Sequence, residues 1–207
     1  MSSIAPRTRI KICGLARAED VRYVNTAKPD WCGFILNFPS SRRNVTPEQA
    51  RALRAGLDPD IRPVGVFVDR PVEEVAALLN SGVISVAQLH GREDNAYISV
   101  LRTLAPGCVV WRAFQLRSQA DLAAADASGA DLVLLDNGRG TGQTFDWSLA
   151  GSVHRPFLLA GGLTPESIPR AVAALRPYGL DLSSGVETDG VKDPAKIQAA
   201  VTAAREE

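Results

Sequence analysis

Short apolar stretches, rich in β-branched residues, recur along the chain and are separated by longer amphipathic segments. Each stretch has the length and composition of a buried β-strand. Eight candidate strands follow in chain order: RIKIC at 9–13, CGFIL at 32–36, PVGVFV at 63–68, SVAQLH at 85–90, CVVWRAF at 108–114, DLVLLD at 131–136, PFLLAG at 156–161 and GLDLSS at 179–184.

The segments between these strands have the period of amphipathic helices. Apolar residues three or four positions apart define one helical face in several of them, for example Val72, Val75, Ala76 and Leu79. Helix starts are predicted where Thr or Asp precedes Pro, because a capping side chain is followed there by a residue with no N–H to satisfy. The three starts of this kind are Thr46-Pro47, Thr164-Pro165 and Asp193-Pro194.

Strands that alternate with single helices predict a parallel sheet joined by right-handed crossovers. No linker, low-complexity stretch or charge block interrupts the alternation, and eight repeats favour a sheet that closes on itself. The predicted fold is therefore of the α/β class: a single (βα)8 TIM barrel with eight parallel strands, spanning residues 1–207 as one domain. An open doubly wound sheet is the alternative.

Composition and charge favour a small-molecule partner. Of the 207 residues 45% are hydrophobic and 22% are charged, as in an ordinary globular protein. Lys plus Arg and Asp plus Glu number 23 each, so no net charge attracts nucleic acid or an anionic membrane surface. Since no apolar run is long enough for a signal peptide or a membrane span, we expect a cytoplasmic protein.

The three cysteines do not form a recognisable metal or disulfide pattern. Cys13, Cys32 and Cys108 are odd in number and widely spaced, with no C-x-x-C pair, and the chain has only two histidines. This pattern fits neither a disulfide framework nor a structural zinc site.

In a barrel of this kind the active site lies at the carboxyl ends of the strands, so polar residues that close an apolar strand are candidates. Nearly every predicted strand supplies one or two: Lys11 and Cys13, Arg42 and Arg43, Asp69, Gln88 and His90, Arg112 and Gln115, Asp136, Ser183 and Ser184. Position alone does not choose among them.

Glycine-rich loops narrow the choice, because barrels often bind a phosphate between the loops after strands seven and eight. Ala160-Gly161-Gly162 ends the seventh predicted strand, and Ser183-Ser184-Gly185 ends the eighth. A third glycine loop, at 138–142, belongs to the longer segment after strand six. Together the three loops predict a phosphate site at the mouth of the barrel.

Cys13 is the first candidate for proton transfer. It lies two residues after Lys11, on the same face of the strand, and Gly14 lets the chain turn away from the thiol. We expect the nearby ammonium group to favour the thiolate, the form that can accept a proton. Cys32 and Cys108 stand at the beginnings of their strands and are interpreted as packing residues.

Asp136 is the second candidate. It follows the apolar run at 132–135, so its carboxyl group is expected to be partly desolvated, and desolvation raises a carboxyl pKa. A raised pKa keeps a proton available near neutral pH, as a general acid requires. A helix-capping or loop-tethering aspartate is the alternative interpretation.

Eight segments of the sequence together carry a family resemblance: KICGL at 11–15, GFILNFPSSRR at 33–43, VGVFVD at 64–69, QLHG at 88–91, LLD at 134–136, GTGQTFDW at 140–147, LAGGLTPE at 159–166 and DLSSGVE at 181–187. In this order they resemble the phosphoribosylanthranilate isomerase family over most of the chain. The combination of KICG, QLHG and the G-T-G-x-T-F-D-W loop is the most specific part of the likeness.

The resemblance implies an Amadori rearrangement in L-tryptophan biosynthesis that uses neither a metal nor an organic cofactor. Its substrate is N-(5′-phosphoribosyl)anthranilate, a small phosphosugar, and its product is 1-(2-carboxyphenylamino)-1-deoxyribulose 5-phosphate. By the same resemblance Asp136 is the general acid that protonates the ring oxygen, and Cys13 is the general base that removes the C2′ proton.

The resemblance also implies two sets of binding residues. The substrate-binding set, in which Arg43 takes the anthranilate carboxylate, is Lys11, Arg43, His90 and Asp181. The phosphate-binding set is Gly142, Gly162, Ser184 and Gly185. The chain departs from the family pattern at Ala160, where serine is common, at Asn44, where an aromatic residue is common, and at Gln143, where lysine is common. These departures bear on affinity more than on the type of reaction.

Two other functions fit a phosphate-binding barrel. A histidine-pathway or dual-substrate phosphoribosyl sugar isomerase would need an aspartate in place of Cys13 and a second phosphate site, and no glycine pair follows the third strand. A barrel that serves only binding or assembly would show a damaged acid–base pair, whereas both members are present. A monomer is expected, with a homodimer as the alternative.

Overall fold

In a computed structural model that describes residues 7–136 and 150–206, parallel strands close into a barrel. Its strands are β1 (Arg9–Cys13), β2 (Trp31–Leu36), β3 (Arg62–Phe67), β4 (Val86–Leu89), β5 (Val109–Gln115), β6 (Leu132–Asp136), β7 (Phe157–Leu159) and β8 (Gly179–Leu182). Consecutive strands pair in parallel, and β1 also pairs with β8, which closes the ring. The prediction of a (βα)8 barrel is confirmed.

Helices cover the outside of the barrel. Within the described ranges they are α1 (Ala18–Ala27), α2 (Pro47–Ala55), α3 (Val72–Asn80), α4 (Asn95–Leu104), α5 (Gln119–Asp126), α6 (Ile168–Leu175) and α7 (Pro194–Arg205). Short 3-10 turns occur at Pro165–Ser167 and Ser184–Val186, and short strands at Asn44–Val45, Glu187–Thr188 and Val191–Lys192. None of the described helices has the length and apolar character needed to cross a membrane.

Two of the three predicted helix starts are confirmed by their caps. The Thr46 hydroxyl accepts from the Gln49 N–H, and the Asp193 carboxylate accepts from the N–H groups at the start of α7. The third start differs, because Thr164 precedes a 3-10 turn and α6 begins only at Ile168. Pro169 has no N–H to donate to the carbonyl four residues earlier, so an α-helix cannot extend back through this turn.

The strands separate two apolar cores. Inside the barrel, Trp31 and Trp111 meet edge to face, with ring centroids 5.1 Å apart, and fill the space below the mouth. The larger core lies between the strands and the helices, and Ile10 and Ile12 of β1 point into it. Because side chains alternate along a strand, Lys11 and Cys13 point inward.

The two remaining cysteines pack as predicted. Cys32 is fully buried in the outer core, and burial raises its pKa to about 12. Cys108 is half-buried and lies against the same core. Neither thiol lines the cavity at the barrel mouth.

Replacing Asp193 by alanine tests the cap of α7. The Asp193 carboxylate accepts a hydrogen bond from the Thr188 hydroxyl at 2.7 Å, and this bond, with those from the backbone, lowers the pKa of Asp193. We expect Asp193→Ala to lower the free energy of unfolding at pH 7 by about 1 kcal/mol, as measured by urea unfolding.

The effect should depend on pH with a defined sign. A depressed folded-state pKa contributes stability above the ordinary aspartate pKa of about 3.9, and that contribution is lost as the pH falls through the folded-state value. Asp60→Ala, which removes an exposed carboxylate outside a helix, serves as the control and should change stability by less than about 0.5 kcal/mol. Equal stabilities of the two variants at pH 7 would contradict the capping role.

Candidate active site

A cavity of about 310 Å³ opens at the carboxyl ends of the strands. It contains most of the predicted site residues, namely Cys13, His90, Asp136, Gly162, Asp181, Ser184 and Gly185. The rest of the wall is formed by Ile35, Val66, Gln88, Gln115, Ala160, Gly161, Leu163 and Ser183. Lys11 and Arg43 do not line it, and Gly142 lies outside the described residues.

An ion pair between neighbouring strands forms the floor of the cavity. Lys11 on β1 is fully buried, and its Nζ donates to both carboxylate oxygens of Asp181 on β8, at 2.9 and 3.0 Å. The two residues are directly opposite in the strand register. Burial alone would lower the pKa of Lys11, but Asp181 and Cys13 outweigh it and hold that pKa above its ordinary value. Lys11 is therefore charged and lies beneath the cavity, with its ammonium group occupied.

Cys13 reaches the cavity at the end of β1, and its side chain and backbone are only 6% exposed. Burial raises the pKa of the thiol; the Lys11 ammonium opposes this shift, and Asp181 adds to it. The expectation that Lys11 makes the thiolate the favoured form is therefore wrong for the ligand-free protein. Desolvation of the thiol outweighs the nearby positive charge.

Gly33 on β2 provides the space that the thiol occupies. It is the residue opposite Cys13 in the strand register. A β-carbon at this position would lie 2.8 Å from Cys13 Sγ and 3.1 Å from Lys11 Cε, both shorter than a normal contact. Any larger residue at position 33 would displace the thiol or the lysine side chain.

Asp136 enters the cavity from the other side of the mouth. It ends β6, which is separated from β1 by β7 and β8 on the shorter path around the barrel. Its side chain is 23% exposed, and its Oδ2 lies 3.8 Å from His90 Nε2. The cavity thus places a thiol and a carboxyl group on two sides of one space, as the sequence predicted.

Arg43 is held at the rim by Glu187. Its Nε and Nη2 donate to the two carboxylate oxygens of Glu187 at 2.6 and 2.7 Å. Arg42 and Lys192 bind the same carboxylate, which is almost fully buried. Burial works to raise the pKa of Glu187, but Arg43 and Lys192 outweigh it and lower that pKa to about 2.

Sequence reasoning did not identify Glu187 or Lys192 as site residues. Glu187 falls at the end of the DLSSGVE segment, which was the one available signal. Lys192 follows a turn outside every quoted segment, and only the antiparallel pairing of Glu187–Thr188 with Val191–Lys192 brings its ammonium group to the carboxylate.

The loops after β7 and β8 meet at the predicted phosphate region. A β-carbon at Gly185 would lie 1.8 Å from the backbone oxygen of Leu163, so only glycine allows the two loops to approach this closely. Ser183 ties the second loop to β1, since its hydroxyl donates to the Cys13 carbonyl at 3.2 Å. Gly162, Ser184 and Gly185 consequently line one wall of the cavity.

Comparison with a family model and with curated relatives points to the same family. A family model described as N-(5′-phosphoribosyl)anthranilate (PRA) isomerase matches residues 10–203. An N-(5′-phosphoribosyl)anthranilate isomerase from Acetivibrio thermocellus is 41% identical over 212 residues, covering 96% of each chain.

Solved structures of the same kind are similar over nearly the whole chain. Phosphoribosyl anthranilate isomerase from Thermus thermophilus has a TM-score of 0.82 at 38% identity, covering 95% of this chain and 98% of its own. A phosphoribosyl anthranilate isomerase in complex with reduced 1-(o-carboxyphenylamino)-1-deoxyribulose 5-phosphate has a TM-score of 0.82 at 32% identity, covering 97% of this chain and 100% of its own.

The contact between Gly33 and Cys13 leads to a test. We expect Gly33→Ala to lower the free energy of unfolding by about 1–3 kcal/mol, because the added methyl group overpacks the floor of the cavity. Denaturant titration measures the change. Gly56→Ala is the matched control, since a β-carbon there meets nothing closer than 3.8 Å. A Gly33→Ala protein as stable as the Gly56→Ala protein would show that the site has more room than described.

Proposed function

We propose, for a chain that belongs to the N-(5′-phosphoribosyl)anthranilate isomerase family, that Asp136 and Cys13 are the acid and the base of the reaction. The protein is an isomerase of L-tryptophan biosynthesis. It converts N-(5′-phosphoribosyl)anthranilate, a small phosphosugar, to 1-(2-carboxyphenylamino)-1-deoxyribulose 5-phosphate. The observation that carries the proposal is the single cavity in which both side chains meet the glycine loops after β7 and β8.

Asp136 acts first, on the furanose ring. Its carboxyl proton moves to the ring oxygen, the bond from that oxygen to C1′ breaks, and the lone pair of the anthranilate nitrogen forms a C1′=N⁺ iminium. The ring oxygen leaves as the C4′ hydroxyl, so charge and protons balance. A partly buried carboxyl at the cavity wall suits this step.

Cys13 acts second, on the open chain. Its thiolate removes the C2′ proton, the C–H electron pair forms a C1′=C2′ double bond, and the iminium nitrogen regains its lone pair. The resulting enolamine becomes the ketone when its hydroxyl proton is lost and C1′ gains a proton. Cys13 ends this step as the thiol, its resting form, and Asp136, which ends the first step ionised, regains its proton from solvent.

The raised pKa of Cys13 defines when the thiolate forms. Burial keeps the thiol protonated in the ligand-free protein. Ring opening creates a positive iminium in the same cavity, and a nearby positive charge lowers a thiol pKa. Lys11 contributes in the same direction from below the floor. We infer that the base becomes active only after the acid has acted, when the thiol releases its proton to solvent water.

Arg43 is proposed to bind the anthranilate carboxylate. Glu187 takes the Nε–H and one Nη2–H of the guanidinium group, which leaves the Nη1 group and the second Nη2–H for another anion. Glu187 stays ionised at any pH well above about 2, so this orientation persists under assay conditions. Glu187 is in this sense a positioning residue for Arg43.

The positions of the other candidate residues in the cavity support the remaining proposed binding roles. Gly162, Ser184 and Gly185 are proposed to hold the phosphate, with Gly142 as a further expected contact from outside the described residues. His90 and Asp181 line the cavity and are proposed to face the ribose part. Because one chain supplies the described cavity wall, we propose that the active unit is a monomer. Because the substrate is a small metabolite, we also propose a cytoplasmic location.

Turnover of variants tests the acid–base assignment. We expect Cys13→Ser and Asp136→Asn each to lower kcat by about 10²-fold or more with little change in product affinity, because each loses a proton transfer without losing its shape. The loss of fluorescence of freshly generated N-(5′-phosphoribosyl)anthranilate measures the rate. Cys108→Ser, which changes a half-buried thiol away from the cavity, should turn over normally. A small effect at either position 13 or 136 would make the assignment wrong.

Glu187→Gln tests the positioning of Arg43. Weakening the bidentate pair frees the guanidinium group to rotate, so we expect KM to rise roughly fivefold, the equivalent of about 1 kcal/mol, with a smaller change in kcat. Glu74→Gln is the matched control, because Glu74 forms a similar bidentate pair with Arg70 on the exposed face of α3. An unchanged KM in Glu187→Gln would show that the orientation of Arg43 by Glu187 does not affect substrate binding.

A further inference from the structure

Gln88 on β4 is a buried polar residue of the cavity wall that the reaction described above does not use. The residue as a whole is 1% exposed, and its Nε2 lies 3.2 Å from His90 Nδ1. Its Oε1 is buried and has no hydrogen-bond partner within residues 7–136 and 150–206. An unpaired buried amide oxygen is costly, which indicates that Oε1 gains a partner in another state of the protein.

His90 connects this amide to the proposed acid. Its Nε2 lies 3.8 Å from Asp136 Oδ2, within ion-pair range, while its Nδ1 faces Gln88. When the Gln88 amide donates to Nδ1, the neutral ring must carry its hydrogen on Nε2, on the side of Asp136. This arrangement suits an ionised Asp136, because the imidazole N–H faces a carboxylate.

A half-turn of the Gln88 amide gives a second arrangement with nearly the same shape. Oε1 then accepts from His90 Nδ1–H, and the amide NH2 group takes the position that Oε1 held. His90 Nε2, on the other side of the ring, then has two possible forms. It accepts a hydrogen bond from a protonated Asp136, or it carries the second N–H of an imidazolium and faces the ionised Asp136. Both forms hold one proton more than the first arrangement, and both keep that proton between His90 and Asp136.

We propose that Gln88 and His90 are positioning residues that keep a transferable proton on the Asp136 side of the cavity, with the Gln88 amide reversing as that proton is lost and regained. The proposal rests on Asp136 being the general acid. No atom is gained or lost apart from the proton that Asp136 delivers to the ring oxygen. The amide can serve in both forms, because it donates to His90 Nδ1 through its NH2 group and accepts from His90 Nδ1–H through Oε1.

The charges around His90 are consistent with the loss and return of a proton on the Asp136 side of the ring. Burial lowers the pKa of His90, so its imidazole is neutral at pH 7 in the ligand-free protein. Among the described residues, the charged groups with the largest effect on His90 come from four parts of the barrel, and they are Asp136, Asp181, Lys11 and Glu93. The three carboxylates act to raise the pKa of the ring, and Lys11 acts to lower it. The net proton affinity of the pair is therefore sensitive to one hydrogen bond at Nδ1.

Nitrogen-15 NMR of histidine-labelled protein tests the proposal without any substrate. The chain has only two histidines, and exposed His154 serves as an internal control. In the unmutated protein above the titration range, we expect His90 to carry its hydrogen on Nε2 and to have an unprotonated Nδ1. A His90 that carries its hydrogen on Nδ1 under these conditions would overturn the proposal, and this measurement needs no variant to fold.

Gln88→Met supplies the second measurement, because it keeps the length of the side chain and removes both amide atoms. We expect the titration of His90, followed through its ring nitrogens, to move to lower pH by about one pH unit, with the resonances of His154 as the internal reference. The alkaline limb of the kcat–pH profile should fall by the same amount. His154→Gln should leave the profile unchanged.

The outcomes separate this proposal from the function on which it rests. If Asp136→Asn keeps its kcat, the general acid is assigned wrongly, whatever His90 shows. If Asp136→Asn loses kcat but Gln88→Met leaves both the His90 titration and the alkaline limb in place, the Gln88–His90 pair does not control the acid. A shift in the NMR titration without a shift in the kcat–pH profile would also overturn the proposal.

Discussion

The buried ion pair between Lys11 and Asp181 is the interaction on which the rest of the site depends. A fully buried ammonium group is tolerated only with a close and well-aligned partner, and the register of β1 against β8 places Asp181 directly opposite. Two residues further along the same face, Cys13 comes to the cavity surface above a fixed positive charge. Gly33 on the other neighbouring strand leaves the space that both side chains require.

Two clusters of charge surround the proton-transfer pair. Beneath the cavity, Lys11 and Asp181 balance each other. At the rim, the single carboxylate of Glu187 is shared by Arg42, Arg43 and Lys192, so positive charge is in excess there. A substrate with a phosphate and a carboxylate matches such a rim. Charge is thus balanced between Lys11 and Asp181 beneath the cavity, while the group around Glu187 carries an excess of positive charge.

Much of the fold can be predicted from the sequence, because strand and helix periods depend on local alternation. The eight strands, the caps at Thr46 and Asp193, and the loops around Gly162 and Gly185 all belong to this class. The start of α6 could not be predicted from Thr164-Pro165 alone, since a second proline at position 169 decides where α-helical hydrogen bonding begins.

The candidate site is less predictable, because its energetics depend on burial and on distant partners. Sequence spacing placed Lys11 beside Cys13 correctly, but whether the ammonium or the desolvation dominates the thiol pKa depends on how completely the barrel encloses the sulfur. Glu187 and Lys192 become site residues only through the turn that joins their short strands. Gln88 stood out as a strand-end polar residue, but only the packed structure shows that its Oε1 lacks a hydrogen-bond partner among residues 7–136 and 150–206.

The most direct test of the account is the deuterium isotope effect on kcat with substrate labelled at C2′. If Cys13 removes the C2′ proton, Cys13→Ser makes that step limiting, and its isotope effect should be well above one. If Asp136 opens the ring beforehand, Asp136→Asn makes the earlier step limiting, and its isotope effect should be close to one. Isotope effects that are equal in the two variants, or reversed between them, would contradict the division of proton transfer between Cys13 and Asp136.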